Sequence, residues 1–464
     1  METAKLPKKL IFWTGTIGFL LMVLGSLFYW KERMAFTDAA YHLFHILARN
    51  EYAIQSSRFV AYFTQSFILW PSRWGAPLSV VAQLYSASFP VLYLLCFWTL
   101  TLVFRNYRLG LAYLLLSFLM TTASFFWCLS DIIQGYAFLF IYLAFVLRYV
   151  EQGKRLNLLH RLLMLVCLVF SVFSHPLMLF SAGFIYLFFI VRYPAFRRML
   201  LFESAVFLVL FAIKTFVFIS PNDANASSAF KSGLKLFPYL DLRANRDFLG
   251  FLVRDYYWVG ILFFGALWFY LKNGKKWHAA FLACAFIGYV LLNNITAPGG
   301  TDQFYVENHY MGICVFVVFP FVWDMLPGMR ITRLRSLFLP FAIATSLLGV
   351  YRHHFIFTER VDWIEGLIGR MKSERSDKWI IRKENAPQDK LFMFWGASFE
   401  VWLLSTVEEG QTYSAIIQER DGEFDDGLYC NTCLRTTWET FPYEKLNPRY
   451  FVFRHTGFPY SFHQ

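Results

Sequence analysis

Polar and apolar positions in this chain fall in long blocks, not in the short alternations of soluble helices and strands. A span needs about 20 mostly apolar residues. Eleven approximate segments meet that description: 10–29, 78–104, 109–127, 132–147, 158–174, 176–191, 199–219, 257–271, 279–293, 310–325 and 336–350. Several are short, so tilted, broken or enclosed helices are expected among them. The fifth and sixth meet at His175-Pro176 and read equally well as one re-entrant hairpin, which leaves nine spans plus the hairpin. Two long polar loops, 30–77 and 220–256, lie on one side of this array. After Val350 the apolar runs shorten to Trp379–Ile381, Leu391–Trp395 and Tyr450–Phe453, with turn signals at Asp421-Gly422 and Asp426-Gly427. The pattern predicts an all-α polytopic membrane domain over 1–350. A helical neck near 360–373 and a small α/β domain follow within 351–464.

Composition agrees. Of 464 residues, 57% are hydrophobic, 21% aromatic and only 16% charged, against about 25% charged in soluble domains. Disorder, coiled coils, secreted disulfide scaffolds and ordinary soluble enzymes are excluded. The first run, Leu10 to Tyr29, is too long for a signal-peptide core and reads as a retained span.

The net charge of +12 divides into +15 over residues 1–350 and −3 over 351–464. With the N-terminus inside, six short inner stretches hold Lys5, Lys8, Lys9; Arg105, Arg108; Arg148, Lys154, Arg155, Arg161; Arg192, Arg197, Arg198; Lys272, Lys275, Lys276; and Arg330, Arg333, Arg335. This bias predicts a cytoplasmic N-terminus and a tail on the outer face. It accounts for the basicity without nucleic acid. Five of the seven cysteines sit in apolar stretches as small core residues, and Cys430-x-x-Cys433 is half a zinc site at most. The acidic cluster Asp421, Glu423, Asp425, Asp426 lacks the spacing of a calcium loop.

Once the topological charges are set aside, the remaining ionisable groups gather at the outer ends of the spans, where charge is costly unless a cavity receives it. In loop one, Asp38, His42 and His45 fall at i, i+4 and i+7, on one helical face. They read as a catalytic acid with adjacent imidazoles, and their spacing admits a divalent metal. The plainer reading is an amphipathic helix lying on the membrane surface. Arg58 suits a phosphate through its planar guanidinium, or snorkels to the interface. Asp131 begins a span and is either a helix cap or a site acid. His175 is a turn residue or a ligand contact. Lys214, about five residues inside a span end, reaches an anionic headgroup or snorkels. Before the tenth segment, Glu307, Asn308, His309 and Tyr310 place a carboxylate, an imidazole and a phenol together. They can bind a sugar or phosphate, or serve as an interfacial belt and helix cap.

On these residues the chain resembles the GT-C superfamily of integral-membrane glycosyltransferases. Asp38, nine residues past the first span, matches the catalytic acid that the family carries in its first outer loop. The stretch to Arg58 looks like the family's surface helix. Glu307-Asn308-His309-Tyr310 is similar to its acidic-aromatic motif, with His309 where Arg is usual. The likeness covers roughly 8–350, and the paired acids (DE or DxD) of several branches have no counterpart here.

The resemblance implies sugar transfer from a polyprenyl-phosphate donor to a sugar, lipid or protein acceptor on the outer face, with Asp38 as general base. His42, His45, Arg58, Asp131, His175, Lys214, Glu307, His309 and Tyr310 would bind substrate. The Phe-rich spans and short tail suggest a bacterial inner-membrane protein with a periplasmic C-terminal domain. Two other classes fit the composition. One is a non-catalytic envelope-assembly subunit that docks membrane proteins through its tail. The other is a transporter or flippase for lipid-linked molecules, which predicts mid-span polar groups and matching halves.

Overall fold

A computed structural model describes residues 7–153, 157–329, 332–391, 393–420, 423–424, 430–454 and 457–463, with only the backbone of 332–336. Each of the eleven apolar segments lies on helix. Helix α1 (Lys8–Phe28) leads through the short α2 (Trp30–Met34) to α3 (Thr37–Arg49) and α4 (Ala61–Arg73). Helix α5 (Leu78–Trp98) continues into a π-helical turn at Thr99–Val103. Then come α6 (Tyr107–Leu119), a 3-10 turn at Ala123–Phe125, and α7 (Asp131–Val150). Helices α8 (Leu158–Val172), α9 (Met178–Arg192) and α10 (Arg197–Val217) follow, then α11 (Pro221–Gly233), α12 (Arg243–Arg254), α13 (Tyr257–Lys272) and α14 (Lys276–Thr296). The series closes with α15 (Gln303–Tyr310), α16 (Gly312–Pro320), a second π-helical turn at Phe321–Met325, α17 (Leu326–Gly328) and the 42-residue α18 (Thr332–Ser373).

Among the described residues, five helical segments are long and apolar enough to cross a membrane: Lys8–Phe28, Leu78–Val103, Asp131–Val150, Pro194–Val217 and Lys276–Thr296. Two bent pairs raise the number to seven if each is one span: α12 with α13, at 92°, and α15 with the Gly312–Gly328 segment, at 49°. The expected eleven are therefore too many by this measure. At 1.5 Å per residue, the 13 to 15 residues of α6, α8 and α9 rise only about 20 Å, short of a hydrocarbon core. The predicted segment 109–127 breaks because α6 ends at Leu119 and the chain turns into the 3-10 element. Gly312 sits at the bend after α15. A Cβ there would strike the Tyr289 ring at 2.7 Å, so the close approach requires glycine.

The last apolar run and the neck are one helix, α18, so the expected boundary at Val350 falls inside it. Beyond lie β1 (Lys378–Arg382), α19 (Ala397–Glu408), β2 (Ser414–Gln418), β3 (Cys433–Arg435), β4 (Thr440–Pro442) and β5 (Ser461–His463). Strands β2, β1 and β5 form a parallel sheet with β1 central, and β3 pairs antiparallel with β4. Trp379, Ile380, Ile381, Ala415, Ile416 and Ile417 are buried on both faces of the sheet, as helix-covered parallel strands require. Cys430 is disulfide-bonded to Cys433, which removes both from the zinc reading. Of the acidic cluster, Asp421, Asp425 and Asp426 lie outside the described residues.

Helix α3 departs from expectation. It does not lie on a surface but is enclosed between the helical bundle and the tail domain. Its apolar residues face several directions, with Leu43, Phe44 and Ile46 fully buried, and a helix apolar on most sides is an interior helix. Phe44 meets the rings of Phe399, Trp402, Phe441 and Phe451 at 5.1 to 5.2 Å.

The junction is closed by charge. Arg360 of α18 pairs with Glu400 of α19 at 2.8 Å, with side chains 1% and 0% exposed. Glu400 also accepts the Thr37 backbone N–H at 2.6 Å. A carboxylate thus caps the N-terminus of α3 from another part of the chain. Gly396 leaves the room: a Cβ there would meet Glu400 Oε1 at 2.6 Å and Thr37 Cα at 2.8 Å.

Candidate functional site

The site begins at the first turn of α3. Asp38 is its second residue, and the Trp127 indole N–H donates to Asp38 Oδ2 at 2.9 Å. Trp127, on the chain between the 3-10 turn and α7, is packed against Tyr305 and Phe304 at 4.8 and 5.3 Å. This holds one carboxylate oxygen. Burial pushes the Asp38 carboxyl above its usual range, opposed by the Trp127 hydrogen bond.

One turn along α3, His42 meets Gln65 of α4. Gln65 Nε2 donates to Ala53 O at 3.0 Å and its Oε1 accepts Ala53 N–H at 2.9 Å, which fixes the amide orientation. Its Nε2 therefore lies 3.4 Å from His42 Nδ1, and the imidazole also hydrogen-bonds the Ala53 backbone. Burial lowers His42 to about 4, so it is neutral at pH 7.

Across the cavity, Arg58 pairs with Asp131 Oδ2 at 2.7 Å. The left-handed backbone of Ser56 and Ser57 shapes the turn that delivers Arg58, and Asp131 opens α7 directly after the Ser130 cap. His175, between α8 and α9, accepts the Leu177 N–H on Nδ1 at 3.2 Å, so its neutral form presents Nε2–H. Burial first, then the Arg58 charge, hold His175 well below the usual histidine range. Its ring lies 5.9 Å from that of His309.

Asp38, His42, Arg58, Asp131, His175 and His309 line one cavity of about 320 Å³. The arrangement supplies a buried acid with one free oxygen, a guanidinium already oriented by a carboxylate, and three imidazoles. The other candidates lie elsewhere. His45 is enclosed among Tyr41, Phe44, Phe399 and Phe441, on the tail-domain side of α3. Among the described residues, no three His, Cys, Asp or Glu side chains converge as metal ligands. Asp38, His42 and His45 therefore do not form the metal site their spacing admits, because the aromatic face of α19 captures His45. Lys214 is buried and donates to Val172 O at 3.1 Å. Tyr310 is buried with its hydroxyl on Asn294 Oδ1.

Glu307 is an anchor. It is fully buried, and its carboxylate accepts the N–H groups of Thr122, Ala123 and Ser124 at 2.7, 2.9 and 2.7 Å. The hydroxyls of Thr122, Ser124 and Tyr256 add to these. Glu307 thereby caps the 3-10 turn that leads to Trp127. Glu307→Gln replaces one acceptor oxygen by a donor facing those N–H groups. It should cost roughly 2 kcal/mol of stability. Thermal melting checks this.

Sequence reasoning missed Trp127 and Gln65 and gave Asn308 no role of its own within its motif; all three line the cavity. Asn308 is 2% exposed, and its Oδ1 has no hydrogen-bond partner among the described residues. Its place beside His309 was the available signal. Trp127 and Gln65 carried none, since a tryptophan at a span end and a glutamine in a helix are commonplace. Compared with known proteins, the chain matches no family model, no curated protein and no solved structure.

Proposed function

We propose that the chain is an integral-membrane glycosyltransferase that moves a sugar from a polyprenyl-phosphate donor to an acceptor hydroxyl, with Asp38 as general base. The observation that carries this reading is the convergence of Asp38, Arg58 and three histidines, drawn from distant parts of the sequence, on one cavity. The excess of basic residues in the short loops at the opposite end supports an outward, periplasmic position for this one.

The free oxygen of Asp38 takes the acceptor hydroxyl proton as the acceptor oxygen attacks the anomeric carbon. The bond from the anomeric carbon to the phosphate oxygen breaks, and the phosphate leaves with the electron pair. Arg58 stabilises the charge that develops there, while His175 and His309 offer hydrogen bonds. One displacement inverts the anomeric centre. The amphiphilic donor suits the neighbouring, largely apolar cavity of about 280 Å³ between α9, α10 and α14, which shares His309 as a wall.

The test is release of polyprenyl phosphate from a panel of labelled polyprenyl-phosphate hexoses and pentoses, using full-length protein in liposomes. No release with any donor and acceptor pair overturns the proposal.

A pH dependence follows. The base works only when ionised, and burial raises the Asp38 pKa. The rate should therefore fall on acidification at a pH above the ordinary aspartate value of about 4. A pH–rate profile reads the position of that limb. An acid limb at or below the ordinary value removes Asp38 as the base.

A further inference from the structure

A second cavity, of about 430 Å³, lies at the other end of the bundle. Asp131 and Glu151 bracket the 20-residue α7, and Glu151 lines this second cavity while Asp131 lines the first. The two are thus about 30 Å apart. Among the described lining residues, Lys8, Arg105 and Arg108 face one acid, Glu151, which is 3.9 Å from Arg108. Its remaining walls are mainly apolar, with Ile11, Leu111, Phe321, Phe338 and Leu339 contributed by four parts of the chain.

The backbone around it is unusual. Arg105 has a left-handed φ of 54°, a conformation that strains a non-glycine residue. It is held between the π-helical turn Thr99–Val103 and the Asn106 cap of α6, whose side chain accepts the Leu109 N–H at 3.0 Å. The second π-helical turn begins at Phe321, itself a wall of the cavity. Both π-helical turns among the described residues therefore adjoin this one cavity, and such segments concentrate at functional places. Topology alone asks for basic residues at this end. It does not ask that three of them share an apolar-walled cleft between helix ends.

We propose that this cleft binds an anionic glycerophospholipid. Lys8, Arg105 and Arg108 take the phosphodiester, and the apolar walls take the upper part of an acyl chain. The excess of cations over acid selects the negative headgroup, and the apolar walls select lipid over free anion. The site rests on the membrane-spanning part of the proposal above and not on its chemistry.

The test uses full-length protein in neutral detergent micelles. Palmitoyl-oleoyl phosphatidylglycerol should raise the melting temperature, and native mass spectrometry of the wild type should retain it. Phosphatidylcholine with the same chains and inorganic phosphate should do neither. K8Q/R105Q/R108Q should weaken phosphatidylglycerol binding by about fivefold for each cation removed. R197Q/R198Q changes exposed arginines at the same end that are not lining residues of the cleft, and should bind as wild type. If the triple variant does not fold, R105Q alone carries the fivefold expectation. Equal stabilisation by phosphatidylcholine, the same shift from inorganic phosphate, no retention by the wild type, or equal weakening in R197Q/R198Q overturns the site. A failed transfer assay leaves these results unchanged, so the two proposals fail separately.

Discussion

If Asp38 is the proposed base, replacing it with asparagine should lower sugar transfer by about 10²- to 10⁴-fold, the range expected when a positioned general base is lost, and leave melting close to wild type. Asparagine has the same shape, and its carbonyl oxygen can still accept the Trp127 indole N–H that holds Asp38 at 2.9 Å. What it lacks is the second, proton-accepting oxygen. Burial raises the Asp38 pKa, meaning that the surroundings penalise the charge, so a neutral replacement does not weaken the fold on that account. Reduced turnover with donor binding intact assigns Asp38 to the chemical step. Wild-type turnover in Asp38→Asn would sink the mechanism. His45→Ala is a useful contrast, because His45 lies beside α19 and away from the cavity. Its effect should appear in stability alone.

The second large effect is structural. Glu400→Ala should destabilise the protein by about 3–5 kcal/mol, the usual result of removing one partner of a buried ion pair. Arg360 would keep its contacts to the Lys390 and Met393 carbonyls but lose the Glu400 carboxylate. The Thr37 N–H would lose its acceptor at the start of α3. Glu400→Gln keeps an acceptor for Thr37 and should cost less. Thermal melting in micelles separates the two, and a Glu400→Ala protein that melts like wild type would show that the junction carries no weight. Because Thr37 precedes Asp38, the alanine variant should also lose transfer per folded molecule.

Much of the helical layout is legible in the order of residues, because burial in lipid demands long apolar runs and each run found in the sequence is helical over most of its length. Lengths are less legible. Residues 120–127 are apolar enough to extend a span, yet the carboxylate of Glu307 pulls the N–H groups of 122–124 into a 3-10 turn. That bond closes across 183 to 185 residues, and no local pattern announces it. The same distance effect hides the enclosure of α3. The Asp38, His42, His45 spacing does put three polar groups near one face, but the neighbours on that face change along the helix. Gln65 and Trp127 meet its first turns, while Phe399 and Phe441 meet the next. Periodicity identifies a face without identifying what lies opposite it. Arg58, Asp131, His175 and His309 were recognisable because each is a charge or imidazole at a span end, where solvation is poor and a polar partner is needed.

The uninterrupted course of α18 has a mechanical consequence. Forty-two residues at 1.5 Å each make a rod of about 63 Å, roughly twice the hydrocarbon thickness of a bilayer. Arg360 sits in its C-terminal half and is clamped through Glu400 to the residue before Asp38. Pro340, near its start, is the one proline within it, and the helix beyond that point converts a small change of tilt into a large sweep at its far end. The strain of a bilayer too thin or too thick for the bundle is relieved largely by tilt. In this molecule such a tilt has a lever arm, and the lever ends beside the acid.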